Sequence, residues 1–152
     1  MTELATALHA LAAVVWVGGM AFAYCCLRPA MAELEGPVRQ ALWVRVFSRF
    51  FPLVVASIAV LLVTGYWIIF GAMGGFAGAG LHVHLMQATG LLMMALFGHL
   101  FFAPWKRLKA AVAAKDWAAG ATQIGQIRTF VAINLGLGVL TVLIGASGHY
   151  WG

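Results

Sequence analysis

Charge is what this sequence has least of. Only 9% of its 152 residues are charged, while 64% are hydrophobic. A water-soluble domain draws about a quarter of its residues from the charged set, so a compact soluble fold is excluded. Residues 4–27, 50–105 and 129–152 contain no Asp, Glu, Lys or Arg at all. With no carboxylate or lysine in those runs, the usual machinery of a proton pump or ion-coupled transporter is missing. Nor do they hold a Ser/His/Asp set, a phosphate-binding glycine loop or paired carboxylates, which argues against hydrolytic and phosphoryl chemistry. The two cysteines, Cys25 and Cys26, are neighbours, and neighbouring cysteines rarely pair, so no disulfide framework is implied.

What is there is apolar sequence in lengths that fit a bilayer. About 20 residues of helix cross a hydrocarbon core of roughly 30 Å, so the outer two runs hold one span each and the middle run holds two. Gly71, Gly74, Gly75, Gly78 and Gly80 divide the middle run. The spans predicted are about 4–27, 50–70, 81–105 and 129–150, forming one membrane domain over 1–152. The fold class expected is all-α, an integral-membrane up-and-down four-helix bundle.

All nine Lys and Arg lie between spans one and two (Arg28, Arg39, Arg45, Arg49) or between spans three and four (Lys106, Arg107, Lys109, Lys115, Arg128). The positive-inside rule makes both segments cytoplasmic and puts both termini and the glycine loop on the periplasmic side of a bacterial inner membrane. The net charge of +5 thereby belongs to orientation and lipid headgroups, not to nucleic acid. Residues 1–7 carry Glu3 and no positive charge, against the basic start of a cleaved signal peptide, so the first run is read as a retained span. Residues 38–49 read as a short interfacial helix, and 106–127 as an extension of span three with a turn near Gly120. Trp43 and Trp105 suit the inner aromatic belt, and Trp67, Tyr150 and Trp151 the outer.

Small and polar residues mark packed faces in lipid. Span four carries Asn134, Gly138, Thr141, Gly145 and His149 on one stripe. Span one carries His9, Ala12, Trp16, Met20 and Ala23. Span three offers His84, Ala88, Leu91, Ala95 and His99, with His82 turned away from His84. Span two contributes Ser57 and Thr64. Four of the five histidines, His9, His82, His84 and His149, fall near the outer ends of their spans. Spans one and three commonly lie on a diagonal of such a bundle, so His9 and His84 are candidate axial ligands of a haem b, with His149 and His82 beside them. Copper is the rival: His82, His84 and His149 with Met73 and Met86 supply imidazole and thioether donors suited to Cu(II) and Cu(I). His99 is a weaker metal candidate deeper in span three.

The stretch ALHALAAVVWVGGMAFAYCCLRPAM (7–31) resembles the first helix of the CopD-like copper-resistance membrane domain and of its relative, the HemJ-type protoporphyrinogen oxidase. The shared pattern is a histidine, a tryptophan seven residues on, then glycine: His9, Trp16 and Gly18 or Gly19. FSRFFPLVVASIAVLLVTGYW (47–67), with its Thr64–Gly65 pair, and LHVHLMQATGLLMMALFGHL (81–100) extend the likeness over nearly the whole chain. The HemJ type has a lysine early in its third helix, in a His-x-Lys-Leu setting, where this chain has His82, Val83, His84 and Leu85. The resemblance implies haem or copper handling, and it adds Trp16 to the candidate cofactor-binding residues. The leading expectation is a small b-type cytochrome, an electron-transfer protein or oxidoreductase working with a quinone or periplasmic redox partner. Copper binding or transport, and haem-dependent protoporphyrinogen oxidation, remain open beside it, as does self-association.

Overall fold

The computed structural model describes residues 1–151, apart from the His149 side chain. Helix α1 runs Thr2–Phe22 and passes through a π-helical turn, Ala23–Leu27, into one further helical turn, Arg28–Ala30. Helix α2 is Gly36–Ala72, α3 is Leu81–Phe102, α4 is Pro104–Ala113 and α5 is Trp117–Ser147; a 3-10 turn, Gly148–Tyr150, closes the chain. No strand occurs among the described residues. Four helical stretches are long and apolar enough to cross a membrane: Thr2–Ala30, Gly36–Ala72, Leu81–Ala113 and Trp117–Ser147. The expected all-α, four-span bundle is thus what the chain forms.

Two boundaries differ from the expectation. The segment 38–49 is no separate interfacial helix but the first part of the 37-residue α2, which continues through Pro52. At 1.5 Å per residue such a helix outruns the hydrocarbon core by several turns, so its polar start projects beyond the membrane. The second turn falls at 114–116 rather than near Gly120. Lys115 takes a left-handed backbone (φ 56°), and the Asp116 carboxylate then accepts the Ala119 backbone N–H at 3.0 Å, starting α5 with a side-chain cap. Gly120 is helical and buried, lying directly under the Gln40 side chain, whose Nε2 donates to the Trp117 carbonyl at 2.8 Å.

Helices α1 and α2 form one closely packed pair and α3 and α5 another, and α5 also touches both members of the first pair. The end of the bundle with the basic residues holds the core. Phe51 is 3% exposed and meets the rings of Phe47, Phe97, Phe101 and Trp105 at centroid distances of 4.9, 5.5, 6.2 and 5.2 Å. Edge-to-face geometry dominates the contacts across helices, the arrangement that ring quadrupoles favour. Lys106 lies over the Phe102 ring and Lys109 over the Trp105 ring, at 5.4 and 5.0 Å. Both ammonium groups thus stay at the boundary while their stems cover apolar surface.

Close helix approach is set by glycine at one point above all. A side chain added at Gly138 of α5 would meet Val17 Cγ2 of α1 at 2.8 Å and Met93 Cε of α3 at 3.1 Å. Gly138→Leu is therefore expected to push three helices apart and to cost about 1–3 kcal/mol. A detergent-denaturation midpoint unchanged from the native protein would contradict that packing.

Candidate functional site

Span one is rotated as its pattern predicts. Ala12, Trp16, Met20 and Ala23 are buried and His9 half-buried on the same stripe. Trp16 is 2% exposed and meets Phe97 of α3 edge-on at 6.2 Å, so its ring is a packing element of the core. His9 lies on the seam between α1 and α2. Its Nδ1 is 2.9 Å from the Thr64 hydroxyl, which is itself 2.6 Å from the Val60 carbonyl. A hydroxyl has one proton; given to Val60, it leaves the Thr64 oxygen as an acceptor facing Nδ1. Gly65 makes room for the ring, since a Cβ there would lie 3.2 Å from His9 Cε1. Thr64→Val removes the acceptor that orients this imidazole. We expect a stability loss of about 0.6 kcal/mol, the usual size of an interhelical hydrogen bond in a membrane, read from the unfolding midpoint. A loss of several times that size would show that the pair does more than orient the ring.

Span three is rotated the other way from its predicted face. His84, Ala88, Leu91, Ala95 and His99 are all exposed on the bundle's outer surface. The packed stripe is instead His82, Met86, Thr89, Met93, Phe97 and Leu100. Two interactions fix that rotation. Phe97 and Leu100 belong to the aromatic and aliphatic core, and the polar groups along the stripe find partners on α5. The Thr141 hydroxyl lies 2.7 Å from that of Thr89 and 4.0 Å from Met93 Sδ, while Asn134 Nδ2 donates to the Met93 carbonyl at 3.1 Å. Small size alone pointed to the alanine face, whereas hydrogen bonding and ring packing decide the outcome.

The histidines consequently separate into different places. His84 is exposed, its ring stacked beside Phe76 of the glycine loop at 6.3 Å. His99 is exposed and lies against Phe130 of α5 at 5.0 Å. His82 is half-buried on the seam between α3 and α5: its side chain rests directly on Gly148, and its ring meets Trp151 edge-on at 6.4 Å. The His149 side chain lies outside the described residues. Of His9 and His84, the expected axial pair for haem, the first is held by Thr64 on its seam and the second is exposed.

Among the described residues, no three His, Cys, Asp or Glu side chains lie close enough together to hold a metal ion. Thioether donors lie beside one of these histidines. Met86 is one helical turn from His82 on the same face, and a Cβ at Gly145 of α5 would lie 3.1 Å from its Sδ. Met93, 3% exposed, continues the stripe inward. Glycine at 145 and 148 opens the α5 side of this seam where the imidazole and the thioether reach it. Mixed imidazole and thioether donors suit Cu(I).

The sequence model of the family described as copper resistance protein D matches residues 44–147. The chain belongs to this family. The matched region covers three of the four spans and includes His82, Met86, Met93, Asn134 and Gly145. No match exists among curated proteins or among solved structures. The chain is a multi-pass membrane protein of the copper resistance protein D family.

Proposed function

We propose that this protein binds copper as Cu(I) within the membrane domain, on the seam between α3 and α5 near the glycine loop, and passes it on as a carrier or transporter. The observation that carries the reading is the shared face of His82 and Met86, seated against Gly148, just past the end of α5, and Gly145 of α5. Family membership supports the choice of metal. Copper is the cargo here. His82 supplies a borderline imidazole donor and Met86 a soft thioether, and the charge-free surroundings favour a monovalent ion over a divalent one. Met93 is a second thioether farther along the same stripe, a step by which the ion moves inward. The positive-inside rule places this end on the periplasmic side of a bacterial inner membrane, so copper arrives from that compartment.

Haem has less support, because His84 is exposed and the His9 imidazole is engaged with Thr64. One experiment separates the two cargoes. Protein expressed with copper and haem precursor both in supply and purified under reducing conditions is expected to retain copper through gel filtration and to show no Soret band. Stoichiometric haem with no copper would overturn the proposal.

A further inference from the structure

A cavity of about 450 Å³ lies at the opposite, basic end of the bundle, formed by the end of α1, its π-helical turn and the starts of α2 and α5. That volume falls within the roughly 300–1,000 Å³ typical of small-molecule pockets. Two chemistries are layered in it. The buried floor is apolar and aromatic, with Met20, Phe47 and Phe51. The rim carries three guanidinium groups, Arg28, Arg39 and Arg128. They come from three separate segments of the chain, so the cluster exists only in the folded bundle.

Nothing on the cavity wall neutralises these cations. No Asp or Glu lines it. Arg28 extends over the Tyr24 ring at 5.2 Å, and Arg39 Nη1 donates to the Ala32 carbonyl at 3.3 Å. Each guanidinium has five N–H donors in a fork that matches phosphate oxygens, so most of their capacity is unused. Asp116, the acid that precedes α5, is engaged as the cap of that helix. The π-helical turn Ala23–Leu27 contributes locally: it carries Tyr24 and leads directly into Arg28, and π-turns recur at functional sites.

We propose that this cavity binds the phosphate headgroup of an anionic phospholipid, with the glycerol and the first part of an acyl chain on the aromatic floor. A free phosphate matches the rim but has no use for the floor. A zwitterionic lipid matches the floor but brings its own cation to the rim. An anionic lipid of the same leaflet satisfies both, and it is the lipid that basic pockets between spans attract.

Native mass spectrometry of the purified protein, supplied with phosphatidylglycerol or with phosphatidylcholine of equal chain length, tests this. The native protein is expected to retain one phosphatidylglycerol per chain in preference to phosphatidylcholine. Arg28→Gln with Arg128→Gln should reduce that retention by about tenfold or more. Arg45→Gln with Arg49→Gln, equal in charge removed but not on the cavity wall, should leave it unchanged. Gly125→Phe provides an arm that keeps every charge. Gly125 lines the cavity and a Cβ there meets nothing within 4 Å, so the ring would fill the space and expel the lipid. Gly136→Phe, also in open space but away from the cavity, should not. If the arginine variant proves misfolded by gel filtration, the glycine pair decides alone. Equal retention of the two lipids, equal loss from both arginine pairs, or displacement of phosphatidylglycerol by millimolar inorganic phosphate would overturn the proposal.

Discussion

His82→Ala is expected to weaken Cu(I) binding by at least about 100-fold, since even loss of an outer-shell partner commonly costs a metal site 10–100-fold. Competition with a Cu(I) chelator measures it. Met86→Leu, which keeps the volume and removes the sulfur, should weaken binding in the same assay while leaving the unfolding midpoint close to native. His99→Ala is the control, because that imidazole is exposed beside Phe130 and off the seam. Copper affinity equal in His82→Ala and His99→Ala would remove His82 from the site. The prediction depends on the rotation of α3: had the His84 face been packed, the same variant would touch only lipid.

The second large effect lies in the core at the basic end. Phe51→Ala deletes a ring that contacts five others across α2, α3 and α4. Large-to-small changes of this kind cost about 3–5 kcal/mol in water-soluble cores. The lower end applies here, about 3 kcal/mol, because the unfolded state in a membrane still surrounds the ring with lipid and only the packing is lost. Detergent or denaturant unfolding followed by helical circular dichroism reads the change. An effect below 1 kcal/mol would mean that the aromatic cluster contributes little to holding the spans together. Copper affinity should be far less affected, since the cluster and the His82 seam occupy opposite ends of the bundle.

Much of the architecture is legible in the residues because lipid imposes a simple rule. Charge-free runs of about 20 residues read as helices, and the glycine loop divides the long run, since a helix satisfies all its backbone hydrogen bonds within one segment in hydrocarbon and the only alternative is a closed β-barrel of much shorter strands. The stripes on α1 and α5 are also readable, as both are lined by small or polar residues between large aliphatic ones. The rotation of α3 is not. Its small residues, Ala88 and Ala95, mark one face, while Thr89 and Met93 mark another, and only their partners on α5, Thr141 and Asn134, choose between them. Those pairings join residues more than 40 positions apart, and no local pattern announces them. The arginine cavity is hidden for the same reason. Arg28, Arg39 and Arg128 read singly as markers of membrane orientation, and their meeting in one wall depends on how α1, α2 and α5 come together. His82 and Met86 were visible as copper donors, but beside His84, Met73 and His149, and sequence spacing had no means of singling them out.

X-ray absorption at the copper edge, on Cu(I)-loaded protein carrying Cys25→Ser and Cys26→Ser, tests the central claim most directly. With both thiols removed, sulfur in the copper shell must come from methionine. The account predicts a mixed shell of nitrogen and sulfur, with the sulfur reduced in Met86→Leu and the nitrogen reduced in His82→Ala. A shell of nitrogen and oxygen alone, unchanged by either substitution, would contradict it.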